Sequence, residues 1–93
     1  MRVTVEFVGV LADFVGTRVA GFDLREGARY EDLLAEIGLV FGANMPEKLW
    51  DRQRSAFRPV VLGTRDERSL RDIRESELRH GDAIKFFLAA AGG

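Results

Sequence analysis

The chain has no cysteine, one histidine (His80) and two prolines in 93 residues. Without thiols it can build neither a disulfide framework nor a thiolate nucleophile, and a lone histidine cannot assemble a zinc site of the usual Cys/His kind. A dominant charge is missing too: 14 Lys and Arg oppose 15 Asp and Glu, for a formal net charge of −1. No basic field exists to hold a phosphate backbone or an anionic bilayer, so neither nucleic acid nor membrane is an expected partner. Long apolar runs are also absent. The longest uncharged stretches, 37–46 and 86–93, reach about half of the ~20 residues a spanning helix needs. The opening Met1-Arg2-Val3-Thr4-Val5-Glu6-Phe7 carries an acid and alternates in polarity, unlike a signal peptide, and the expected location is the cytoplasm.

What is present suits an ordinary folded domain, with 46% hydrophobic and 31% charged residues. A chain of this size supports one core and buries roughly 60 to 65% of its unfolded surface. Val3, Val5 and Phe7 alternate with Arg2, Thr4 and Glu6, the period of a half-buried strand over residues 2–8. Between Gly9 and Gly16, Val10-Leu11-Ala12-Asp13-Phe14-Val15 is too short for a self-supporting helix and too apolar for a solvated turn, which predicts a packed loop. Residues 17–24 form a second extended segment, with Ala20, Phe22 and Leu24 on one face, close enough to the first to make an antiparallel hairpin.

Tyr30, Leu33, Leu34, Ile37, Val40 and Phe41 recur at spacings of three and four, the apolar stripe of one amphipathic helix, which Gly38 is expected to loosen before Gly42 stops it. Pro46 suits the first position of a short helical turn leading to Trp50, expected at the edge of the core. Residues 57–63 read as a third strand with Pro59 near its start, and residues 64–79 as a charged segment pinned by Leu70, Ile73 and Leu78. His80-Gly81-Asp82 is a tight turn, and a last strand, Ala83-Ile84-Lys85-Phe86-Phe87-Leu88, alternates again. Ile84, Phe86 and Leu88 need the core side, which leaves Phe87 on the opposite face as a candidate partner-binding residue.

No catalytic constellation emerges. His80 follows Ser76 by four residues, but the pair has no orienting third group and reads as a solvated turn. The glycines never fall into a phosphate-cradling pattern. Arg65, Arg68, Arg71 and Arg74 recur every third residue, yet Asp66, Glu67, Asp72, Glu75 and Glu77 interleave with them and with Arg79, giving a neutral, salt-bridged surface. The specialised feature is the end, Ala91-Gly92-Gly93. Without Cβ atoms, two final glycines make a thin, flexible strand able to thread a narrow cleft and carry a carboxylate into another protein's active site. A merely frayed end is the structural alternative.

The order hairpin, helix, strand, charged loop, final strand and Gly-Gly end resembles the β-grasp, or ubiquitin-like, fold: an α+β architecture in which a mixed sheet of about four strands packs on one main helix, with a tail over residues 89–93. More narrowly, the chain resembles the MoaD/ThiS-type sulfur carriers. The residues that carry this are Val3-Thr4-Val5-Glu6-Phe7, Gly27-Ala28-Arg29-Tyr30-Glu31-Asp32-Leu33-Leu34, Leu78-Arg79-His80-Gly81-Asp82-Ala83-Ile84 and Ala91-Gly92-Gly93. Arg29 stands where these proteins often have a capping Thr, Leu62-Gly63 replaces an Asn-Gly turn, and Leu88-Ala89-Ala90-Ala91 replaces a more proline-rich approach to the glycines.

The resemblance implies that an ATP-dependent activating enzyme adenylates the carboxylate of Gly93, which a sulfur donor then converts to a thiocarboxylate. Gly92 and Ala91 would lie in the partner's active site. Residues 44–58 and 64–75 extend a minimal β-grasp and favour the molybdopterin type, whose acceptor is the large molybdopterin synthase subunit. A carrier for thiamine or another pathway, and a ubiquitin-like interaction module whose glycines are incidental, are the alternatives. On this reading the chain holds no metal or cofactor and supplies sulfur rather than a catalytic pocket.

Overall fold

The computed structural model describes residues 1–66, 68–69 and 77–89. Strand β1 (Arg2–Phe7) alternates as the sequence predicts, with Val3, Val5 and Phe7 buried and Arg2, Thr4 and Glu6 exposed. It pairs antiparallel with β2 (Val19–Asp23), Val3 facing Phe22 and Val5 facing Ala20.

The connection between them is a helix, α1 (Val10–Val15), and not the irregular loop its length suggests. Leu11 and Val15, one turn apart, are both buried, so packing on the core supplies the stability that six isolated residues lack. Gly16, at φ 95°, stops the helix in a left-handed conformation, and its N–H donates to the carbonyl of Ala12.

Helix α2 (Tyr30–Phe41) lies across the sheet and buries Tyr30, Leu33, Leu34 and Ile37. Asp32 caps its start by accepting from the Arg29 N–H at 2.8 Å, while the Asp32 N–H, which a Thr at position 29 would cap, donates to the Arg29 carbonyl at 2.9 Å. The predicted stripe fails at Val40, which is 58% exposed, while Phe41 turns inward edge-on to Phe7 and Phe22. Nor does the helix loosen at Gly38. A Cβ there would stand 2.9 Å from the Trp50 ring, so the glycine makes room for the indole while the helix runs on. Trp50 is correspondingly only 2% exposed, inside the core rather than at its edge.

A 3₁₀ turn at Gly42–Asn44 follows, and then a single helical turn in which the N–H groups of Leu49 and Trp50 both donate to the Pro46 carbonyl. The expected third strand is split in two. Its first part joins a separate ribbon, β3 (Trp50–Asp51) against β4 (Ala56–Phe57), and its second is β5 (Val61–Arg65) in the main sheet. Between them Arg58 and Val61 close a turn around Pro59, where a residue lacking an N–H interrupts no ladder. The two-residue β6 (Arg68–Ser69) pairs with the end of β5. Leu78 is buried, whereas Leu70 and Ile73, expected to pin the same segment, lie outside the described residues.

The last strand, β7 (Ala83–Leu88), enters the middle of the sheet, parallel to β1 and antiparallel to β5, for an order β2-β1-β7-β5-β6. Four main strands and the short β6 thus form one mixed sheet on one main helix. Phe86, wholly buried, stacks on Phe7 and Tyr30 and meets Phe57 at 4.7 Å. Gly63 makes the close fit possible, since a Cβ there would come within 2.6 Å of the Phe86 ring and 2.8 Å of the Tyr30 hydroxyl.

Candidate functional site

One face of the sheet packs against α2, and strand alternation assigns each residue of β7 to that face or to the other. Ile84 and Phe86 are wholly buried beneath α2, which puts Ala83, Lys85 and Phe87 on the other side. There Phe87 stands beside Leu62 of β5, its register partner. On the β1 side the chain runs on to Val8, whose N–H donates to the Phe86 carbonyl at 2.9 Å. Val8, Phe87 and Leu62 therefore form an apolar row across three neighbouring strands. Phe87 is half-buried rather than fully exposed, as expected of a residue flanked on both sides in the middle of a sheet. One row back, Lys85 sits level with Glu6 and Thr64, a polar band next to the apolar one.

The apolar row lies where β7 ends. Ala89, the first residue beyond the strand, remains attached to the body because its N–H donates to the Val60 carbonyl at 2.7 Å. Ala91, Gly92 and Gly93 lie outside the described residues, as does Ser76.

His80 is exposed, and it is more than a solvated turn residue. Its Nδ1 accepts from the Arg2 N–H at 2.9 Å while the Gly81 N–H donates to the Arg2 carbonyl, so the turn is tied to the start of β1. Gly81, at φ 91°, supplies the left-handed residue this turn requires. Asp82 completes it: one carboxylate oxygen accepts from the Arg79 N–H at 2.8 Å and from Arg65 at 3.1 Å, and Arg65 also donates to the Glu77 carbonyl. The Leu-x-x-Gly-Asp signature is thus a structural hinge between β5 and β7. Its Asp was visible in the sequence, but its partner was not, because Arg65 lies 17 positions away.

Among the described residues no polar or charged residue is buried, and no group of three metal-ligating side chains occurs. A cavity of about 120 Å³ between α2 and β5 is lined mainly by apolar groups, including Tyr30, Leu34, Phe57 and Val61. Arg58, at its rim, is already paired with Asp51 at 3.3 Å. Nothing in this arrangement combines a nucleophile with a base. Among the described residues, no helix is long and apolar enough to cross a membrane.

No protein-family model matches the sequence, and no curated protein matches it either. Solved structures do. SAMP1 from Haloferax volcanii superposes with a TM-score of 0.81 over 100% of both chains at 15% identity. A Pyrococcus furiosus protein named as a candidate molybdopterin converting factor subunit 1 gives 0.74 at 22% identity, over 97% of this chain and 99% of its own. A chain of the BexX/CysO complex from Amycolatopsis orientalis gives 0.61 at 18% identity, over 98% and 99%. The fold is the ubiquitin-like β-grasp. These similarities span the β-grasp from end to end, including the central β7 that leads to the tail.

Proposed function

We propose that this β-grasp protein is a sulfur carrier whose working group is the carboxylate of Gly93. A carboxylate oxygen attacks the α-phosphorus of ATP in an activating enzyme, pyrophosphate leaves, and the resulting acyl-adenylate makes AMP a good leaving group. A sulfur donor then displaces AMP to give the thiocarboxylate, which passes its sulfur to an acceptor enzyme. Gly92 presents only backbone and Ala91 only a methyl group to the partner's cleft, and Phe87, with Val8 and Leu62 beside it, is the anchor on which the partner docks.

The observation that carries this reading is the junction of the apolar row with the exit of the central strand: an apolar surface lies beside the end of the strand that leads to the residues a partner would act on. The fold shared with small archaeal modifier proteins and with the candidate converting factor subunit supports it. Within this reading the molybdopterin pathway is the preferred destination, with the large synthase subunit as acceptor. Of the two segments that lengthen the chain, 44–58 contains the ribbon β3–β4, while most of 64–75 lies outside the described residues.

The test is intact mass spectrometry after incubation with an activating enzyme, ATP and a sulfur donor. One oxygen exchanged for sulfur at the terminal glycine is expected. Absence of adenylate and thiocarboxylate with a verified partner overturns the reading in favour of an interaction module. Trials with molybdopterin and thiamine acceptor enzymes distinguish the pathways.

A further inference from the structure

We infer that the Arg58–Val61 turn is a positioning element that sets how far the tail reaches, by holding Ala89 through the Val60 carbonyl. The inference rests on the carrier reading and adds to it the partner's geometry. The turn is itself braced: the Val61 N–H donates to the Arg58 carbonyl at 2.9 Å, and the Arg58 side chain is held by the Glu47 carbonyl at 3.0 Å and by Asp51 at 3.3 Å. It is therefore an anchored loop, and the bond it makes to Ala89 is short, at 2.7 Å.

The consequence is a ruler. From Ala89 to Gly93 the chain has four residues, 90–93, and four residues span at most about 14 Å. An enzyme that docks on the Val8–Phe87–Leu62 row and acts on the Gly93 carboxyl must hold its reactive centre within that distance of Ala89. If Ala89 is released, the next residue held on β5 is Leu88, paired with Val61 and packed against the core, so one further residue becomes available, worth about 3.5 Å of reach. The Val60 carbonyl thus decides whether the tail has four usable residues or five.

Two measurements test this. The first is amide hydrogen exchange on the full chain, in which the Ala89 N–H is expected to exchange at least about tenfold more slowly than the same amide in the unfolded chain. Equal rates overturn the anchor whatever the chain's function. The second uses an activating enzyme that turns over the native chain, with pyrophosphate release as the readout. Deleting Ala90 shortens the reach by one residue and is expected to lower the rate about 100-fold. Adding Ala89→Pro, which removes the N–H donor, is expected to restore at least about tenfold of it by freeing the chain back to Leu88. A thermal melt of each variant checks that the body is intact. Full activity of the shortened tail, or no rescue by Ala89→Pro in a folded protein, overturns the ruler. Failure of the native chain to form any adenylate overturns the carrier reading instead, and the exchange rates separate the two failures.

Discussion

Arg65, at the end of β5, and Asp82, at the threshold of β7, form an ion pair at 3.1 Å with both side chains largely covered, 23% and 17% exposed. The same Asp82 oxygen accepts from the Arg79 N–H, so one carboxylate both closes the turn that leads into β7 and ties that turn to β5. Removing it leaves a largely covered guanidinium without its counter-ion and a backbone donor without its acceptor. Asp82→Ala is expected to lower stability by about 1.5–3 kcal/mol in urea denaturation. A double-mutant cycle with Arg65→Ala should give a coupling near ~1 kcal/mol; zero coupling means the two residues act independently.

Gly63→Ala is expected to destabilise the fold by about 1–3 kcal/mol, because the added methyl meets the Phe86 ring and the Tyr30 hydroxyl, both held by other aromatic contacts. A melting temperature unchanged within a degree or so would show that the stack shifts freely.

Gly38→Ala sets two effects against each other. Helix propensity favours alanine by about 1 kcal/mol, while the Cβ would stand 2.9 Å from the buried Trp50 ring and force it to move. Overpacking at a wholly covered indole typically costs ~1–3 kcal/mol, so net destabilisation is expected, with a change in Trp50 fluorescence as its signature. A stabilised variant with native fluorescence contradicts this packing.

Phe87→Ala separates binding from folding. Only half-buried, its side chain contributes on the order of 1 kcal/mol to stability, whereas an aromatic anchor in an interface commonly contributes about 2 kcal/mol or more to affinity. Titration calorimetry with the activating enzyme should show weaker binding by a variant that melts close to the native chain. Large destabilisation with unchanged affinity reverses the assignment of faces.

Deleting Gly93, or adding one alanine after it, is expected to abolish transfer without affecting the melt, since a misplacement of about 1 Å can already reduce rates ~100-fold. His80→Ala should leave transfer intact and lower stability by no more than about 1 kcal/mol, the value of its exposed bond to Arg2. Loss of transfer in a folded His80→Ala protein would give this histidine a role beyond the turn.

Local periodicity was enough to read β1, β2, α2 and β7 and the two faces of the last strand, because alternation and the three-to-four spacing are properties of neighbouring residues. The same signal assigned Phe87 to the face away from the helix. It failed wherever a distant residue decides the outcome. Val10–Val15 is helical because Leu11 and Val15 find the core, Gly38 stays in its helix because Trp50 fills the space above it, and Pro59 splits a strand that hydropathy alone runs together. Nothing local pairs Arg65 with Asp82 or Ala89 with Val60. Those contacts exist because β7 inserts between β1 and β5, an arrangement set by burying apolar faces from the whole chain at once. The sequence by itself determined which side chains seek the core, because local alternation and spacing carry that information. Only the tertiary structure, by pairing strands far apart in sequence, decided that an apolar row lies beside the end of β7 and that Ala89 is tied to Val60.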